Sequence, residues 1–184
     1  DVAFRPVYMA NAPDGSLLIA DFYERYIAHG QHYQSQIDPT SGRVYRLRAK
    51  AKPLVADTNL SAKTDGQLIG LLAHPNKWHR QTAVRLLGQR ATAVTNAKLR
   101  KQIKAETGRA ALHGLWALHQ AGGLDDAFAA ELLGHPYPHV RSWAVRLRGD
   151  QHELSTGLFS AVRRLARREG HSEERSQIAG TAMR

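Results

Sequence analysis

Apolar and polar positions alternate with two different periods along this chain, and the change falls near residue 50. Val7-Tyr8-Met9-Ala10 and Leu17-Leu18-Ile19-Ala20 are apolar runs of strand length. Between them stands Pro13-Asp14-Gly15-Ser16, a turn in which Pro presets φ, Asp bonds the backbone ahead of it and Gly accepts positive φ. The pattern predicts a hairpin with buried strands. Gly42-Arg43-Val44-Tyr45-Arg46-Leu47 alternates as a closing strand should. Three strands make a poor free-standing sheet, so residues 1–50 are expected to be one end of a larger β structure.

A connector over 51–63 contains Pro53 and the polar Asp57-Thr58-Asn59. From 64 to 184 the spacing is helical. Thr64 is a predicted N-cap before Leu68-Ile69-Leu71-Leu72. Leu112, Leu115, Trp116 and His119 fall at i, i+3, i+4 and i+7, as do Val140, Trp143, Ala144 and Leu147, and Leu158, Val162 and Leu165 hold one face. Leu71-Leu72-Ala73-His74-Pro75 through Ala83-Val84-Arg85-Leu86-Leu87-Gly88 recurs 61 residues later as Leu132-Leu133-Gly134-His135-Pro136 through Ala144-Val145-Arg146-Leu147-Arg148-Gly149, with ten of 18 positions identical, Arg80/Arg141 among them. Helix, Pro-containing turn and a second helix ending at Gly form one hairpin, and Lys98–Glu106 with Ala110–Gln120 supply another between the two copies. Hairpins that bury their apolar stripes only against neighbours stack as an α-solenoid. The expected fold class is therefore mixed β then α.

The chain has no Cys, which excludes disulfides, thiolate metal sites, Cys nucleophiles and covalent c-type haem within it. No apolar run reaches membrane-spanning length, and no signal peptide is visible. The net charge of +10 suits an acidic partner. Its densest clusters, Lys98-Arg100-Lys101-Lys104 and Arg163-Arg164-Arg167-Arg168, have the spacing of solvated helix faces, which argues against nucleic acid.

His74 and His135 read as helix-end residues, and Trp78, Trp116 and Trp143 as parts of inter-repeat cores. His113 and His119 are six apart and do not face one way as metal ligands, and no metal site is assigned. The excursion after Ala20 is richer: Asp21-Phe22-Tyr23-Glu24-Arg25-Tyr26 and His29-Gly30-Gln31-His32-Tyr33 crowd acids, bases and phenols into a loop beside a strand, where sites usually sit. Asp21 is a candidate base or cation ligand, and His29 and His32 are candidate proton acceptors. Against this stands the plainer account of a turn-capping Asp21, packed tyrosines and solvated histidines. Arg5 is placed to hold an anion or pair with Asp21.

Phe4-Arg5-Pro6-Val7, Pro13-Asp14-Gly15-Ser16-Leu17, Ala20-Asp21-Phe22-Tyr23, His29-Gly30-Gln31 and Gly42–Leu47 together resemble the last β-propeller blade of a membrane-bound dehydrogenase group of planctomycetes and verrucomicrobia, related to glucose/sorbosone dehydrogenases. Pro75-Asn76-Lys77-Trp78-His79-Arg80 and Arg85-Leu86-Leu87 are similar to the HEAT repeats that come after it there. The resemblance covers about residues 3–150. It implies a C-terminal fragment of an extracytoplasmic (periplasmic or cell-surface) quinone-dependent sugar or alcohol dehydrogenase, with PQQ and calcium in the full-length parent and none expected in this piece. The helices would then be a scaffold or linker to a partner or an attached cytochrome c module. By the same resemblance Arg5 and Tyr23 would contact the quinone, His29 or His32 would take the hydroxyl proton, and Asp21 would orient them. The alternative is a non-catalytic HEAT-repeat module that binds protein or polysaccharide.

Overall fold

The computed structural model describes residues 4–22, 40–151 and 154–182. They form a small three-stranded antiparallel sheet followed by eight α-helices among the described residues. The chain divides into two compact units, residues 1–59 with Asn76–Trp78, and residues 60–75 with 79–184.

In the first unit β1 (Pro6–Asn11), β2 (Leu17–Asp21) and β3 (Arg43–Leu47) lie in the order β1-β2-β3, with Met9 opposite Ile19 and Ile19 opposite Tyr45. The β1–β2 connection has the predicted chemistry. Gly15 takes φ +89°, the Ala12 amide donates to the Ser16 carbonyl (2.9 Å), and the Ser16 amide and hydroxyl donate to Asp14 Oδ1 (3.0 and 2.6 Å). The register slips between Pro6 and Tyr8, a local irregularity that lets β1 begin on a residue without an amide hydrogen. The expectation of buried strands is met only in part: β2 is half-buried, with Asp21 buried, whereas β1 is exposed along most of its length. Val7, Tyr8, Met9, Val44 and Leu47 are all more than half exposed. Pairing alternates the faces, so Tyr8 and Val44 lie on one side of the sheet and Met9 and Leu47 on the other. Both sides therefore carry exposed apolar side chains.

From Asp65 onward the helices come in pairs. They are α1 (Asp65–Gly70) and α2 (Lys77–Gln89), α3 (Ala93–Ala105) and α4 (Gly108–Gln120), α5 (Asp126–Leu132) and α6 (Pro138–Gly149), and α7 (Thr156–Arg168) and α8 (Ser172–Ala182). Thr64 caps α1 in a capping box with Gln67, as its spacing predicts. Sixty-one residues on, Asp125 caps α5 by accepting the Phe128 amide. The third helix begins earlier than its charged run indicates, because Thr92 caps it by accepting the Thr95 amide.

The sequence repeat is a repeat of contacts. Pro75 and Pro136 interrupt the chain between the helices of a pair and leave carbonyls with no amide to meet. Arg80 Nη1 donates to the carbonyls of His74 (2.6 Å) and Pro75 (2.8 Å), and Arg141 Nη1 donates to those of His135 (2.9 Å) and Pro136 (3.3 Å). Arg141 also forks onto Glu169 at the end of α7, with Nε to Oε2 at 2.8 Å and Nη2 to Oε1 at 2.9 Å. A second device ties each short helix to its own partner and to the next pair. Asp65 is met by Arg90 from the end of α2 and by the Thr95 hydroxyl of α3, while Asp126 is met by Arg148 of α6 (2.6 Å) and by the Ser155 amide ahead of α7 (2.7 Å). The glycines that close α2 and α6 are sites of close approach. A Cβ on Gly88 would lie 2.7 Å from Gln120 Cβ in α4, and one on Gly149 would run into Thr181 of α8.

The core consists of Leu68, Leu72, Leu87, Leu99, Ile103, Leu115, Leu118, Leu132 and Val140, each at most 2% exposed. In α4 the buried seam turns away from the predicted stripe: Ala111, Leu115 and Leu118 are interior, while Leu112, Trp116 and His119 are half-buried. This helix contacts α3 on one side and α6 on another, so its buried surface is wider than a single stripe. Trp78 and Trp143 are likewise half-buried and not core residues.

Arg141→Ala should lower stability by about 2–4 kcal/mol, because it strands two carbonyls and the carboxylate of Glu169. Arg141→Lys should recover only part of this, lacking the planar fork; urea denaturation of both variants against wild type checks it. Gly149→Ala should cost about 1–3 kcal/mol through the collision with Thr181, whereas Gly157→Ala, with open space around it, should be neutral or slightly stabilising.

Candidate functional site

Of the five residues singled out in the sequence, two lie among those described. Arg5 and Asp21 meet at the edge of the β1–β2 pair, where the Arg5 amide donates to Asp21 Oδ1 at 2.8 Å and the Phe22 amide donates to the Arg5 carbonyl at 3.0 Å. Asp21 is 6% exposed. Its carboxylate therefore pins the strand that carries Arg5, while Arg5 Nη1 donates to the Phe4 carbonyl at 3.2 Å. Tyr23, His29 and His32 lie outside the described residues. Asp21 also has less freedom than a catalytic base in an open loop, since one oxygen is committed to a main-chain amide.

The described histidines lie in the helical part of the chain. His135 is 6% exposed and bridges pairs: Nε2 faces the carbonyls of Ile103 (3.0 Å) and Glu106 (3.2 Å) at the end of α3, while Nδ1 faces the Tyr137 amide (3.1 Å). Carbonyls only accept and an amide only donates, so Nε2 carries the hydrogen and Nδ1 is an acceptor. His135 is a helix-end cap. His113 is buried in α4 with Nδ1 2.7 Å from the Arg109 carbonyl. Burial, with Arg80 and Arg109 nearby, holds it below the ordinary histidine value despite that hydrogen bond. His119 is depressed as well, by burial first and Arg148 second.

Two features were not visible in the sequence. Trp116 and Trp143 meet edge to face with centroids 5.0 Å apart, and with His119, Gln120 and Leu147 they line a largely apolar cleft of about 330 Å³ between α4 and α6. Arg146 lies 4.9 Å above the Trp143 ring. In the 61-residue repeat the position of Trp143 is taken by Thr82, so the first copy lacks this aromatic wall. Separately, Glu174 is wholly buried between His139, whose Nδ1 is 3.5 Å from Oε1, and His171, whose Nδ1 contacts Oε2. The spacing of 139, 171 and 174 crosses two helix boundaries, which hides the cluster from any local motif. Among the described residues no group of three or more His, Asp or Glu is placed to hold a metal ion, and no helix is long and apolar enough to cross a membrane.

Residues 1–51 match a family profile described as "Domain of unknown function (DUF7133)". Neither the comparison with curated proteins nor that with solved structures gave a match.

Stability should fall between pH 7 and 5. An unfolded histidine takes up its proton near 6.5 and the buried His113 only at lower pH, so the unfolded state binds more protons over that window. His113→Gln should flatten this slope, and adding His119→Gln should flatten it further. A second loss should come below about pH 4.5, the ordinary value for Glu169, which the Arg141 hydrogen bond holds lower in the folded state; Glu169→Gln should reduce that step. Urea midpoints measured across pH 3–8 check both.

Proposed function

We propose that this chain is a structural joint in a larger extracytoplasmic, quinone-dependent sugar or alcohol dehydrogenase-like protein, and that it has no turnover by itself. In this reading residues 1–50 supply a blade-like sheet to a β-propeller. Residues 64–184 form a HEAT-like solenoid that acts as scaffold toward a partner protein or an electron-accepting cytochrome module.

The observation that carries the structural half is the two-sided apolar sheet. A sheet at the surface of a domain needs one apolar face, whereas a propeller blade is packed against a neighbour on each side. Tyr8 and Val44 on one face and Met9 and Leu47 on the other suit the second arrangement. The duplicated arginine contacts, with the acid ties at Asp65 and Asp126, support the scaffold half. Arg80 and Arg141 close their own turns and Arg90 and Arg148 tie the two helices of a pair, while the Thr95 hydroxyl on Asp65, the Ser155 amide on Asp126 and the Arg141–Glu169 fork join one pair to the next, as a repeat array requires.

The dehydrogenase half rests on the sequence resemblance. Arg5 and Asp21 do not compose a quinone or calcium site between them, since Asp21 Oδ1 is taken by a main-chain amide and the carboxyl is nearly covered. PQQ and calcium would be held by residues gathered from the whole propeller. Here Asp21 fixes the strand that presents Arg5, Arg5 lends positive charge toward an anionic oxygen, and His29 or His32 accepts the substrate hydroxyl proton.

The full-length parent, reconstituted with PQQ and calcium, should show a bound-quinone spectrum and reduce a dye with sugars or alcohols. His29→Ala with His32→Ala should lower turnover by about 10²-fold or more, the usual weight of a general base. No cofactor spectrum and no dye reduction with any sugar or alcohol would leave the non-catalytic binding module as the standing reading.

A further inference from the structure

The helices α3 and α7 share more than length. Both have 13 residues, their N-caps are Thr92 and Ser155, and their C-caps are Glu106 and Glu169, so α7 repeats α3 in a register of 63. In that register Asn96, Arg100 and Lys104 of α3 correspond to Phe159, Arg163 and Arg167 of α7, each set one turn apart along a single stripe.

On α3 this stripe is occupied by the next short helix. Arg100 Nη2 donates to the Gly123 carbonyl (2.7 Å) and to Asp125 Oδ2 (2.6 Å) at the N-cap of α5, and its guanidinium lies 4.7 Å from the centre of the Phe128 ring. Lys104 Nζ pairs with Glu131 Oε1 at 2.6 Å. The recognised element is thus a helix with a carboxylate at the N-cap, an aromatic ring three residues on and a second carboxylate six residues on.

On α7 the same stripe is open. Arg163, Arg164, Arg167 and Arg168 are exposed, Phe159 is 51% exposed with Arg163 above its ring (5.9 Å), and none of the four arginines has an ion pair among the described residues. Four like charges on one side of a 13-residue helix repel one another, and an acidic occupant relieves that.

We infer that the Phe159–Arg163–Arg167 face of α7 is a docking surface for an acidic amphipathic helix of the α5 type, with carboxylates at its N-cap and six residues beyond and an aromatic ring between them. Charge argues against a second copy of this chain docking through α1, whose matching positions are Thr64, Gln67 and Gly70. Individual exposed ion pairs contribute little, so recognition takes the acids and the ring together. The inference deepens the scaffold reading and needs from it only the α3–α5 geometry; it stands whether or not the parent reduces a dye.

The test uses the full chain and a fluorescent, N-acetylated synthetic peptide with the sequence of residues 123–135. Binding followed by anisotropy should be tightest at low salt and weaken severalfold as exposed charges are screened. Arg163→Glu with Arg167→Glu, placed at exposed positions and checked for an unchanged circular-dichroism spectrum, should weaken it at least tenfold. A peptide carrying Asp125→Lys and Glu131→Lys should fail on wild type and regain binding on the charge-reversed chain. Binding that ignores the Arg163/Arg167 reversal, absence of binding at low salt, or equal binding of a scrambled peptide of the same composition would each overturn the inference. So would tighter binding of duplex DNA through the same arginines, which would make the face a nucleic-acid surface.

Discussion

A helix pair that turns through His-Pro leaves two main-chain carbonyls facing inward, and the rest of the helical unit depends on where a donor for them comes from. Arg80 and Arg141 answer in the same way. Each sits six residues past the histidine on the second helix of its pair and turns one guanidinium nitrogen onto both carbonyls. The planar group has donors to spare, and Arg141 uses them on Glu169. One side chain thereby closes a turn and links it to the next pair. A lysine could neutralise the region but could not hold two directions at once.

Given that closure, the other repeated positions fall into place. A rigid turn sets the angle between the helices of a pair, so the end of α2 or α6 must come close to α4 or α8, and only Gly88 and Gly149 leave room for Gln120 and Thr181. The aspartates at the start of α1 and α5 then serve as common acceptors for their own pair and the pair ahead. Positions outside this framework are released from it. Trp143, matched by Thr82 in the repeat, stands with Trp116 half-exposed on a cleft, and α7 carries its basic stripe to the surface.

Much of this is legible in the residues alone. The switch from β to α near residue 50, the Pro13–Ser16 turn, the Thr64 cap and the equivalence of the segments after Leu71 and Leu132 rest on short-range chemistry, which sequence displays directly. What escapes depends on neighbours. The exposure of β1 and β3 is not encoded in Val7-Tyr8-Met9, whose composition suits a covered strand. The half-buried state of Trp116 comes from α4 having contacts on several sides. The helix Ser172–Ala182 has no apolar stripe; Ile178 and Glu174 are buried in it together, a combination that amphipathic patterning passes over. Of the proposed site only the Arg5–Asp21 contact is described, and it joins two residues sixteen apart that the hairpin register brings together.

The sheet carries a consequence for handling. Among the described residues β1 and β3 are the outer strands of the sheet, and the exposed side chains along them are valine, tyrosine, methionine and leucine. Edges of that kind recruit other strands, and the usual protections are scarce: Pro6 stands at one end of β1, and the charges on β3 are confined to Arg43 and Arg46. A sheet with such margins is a seed for edge-to-edge association, so a few exposed β residues, more than the highly charged helices that make up most of the mass, set how readily the polypeptide self-associates.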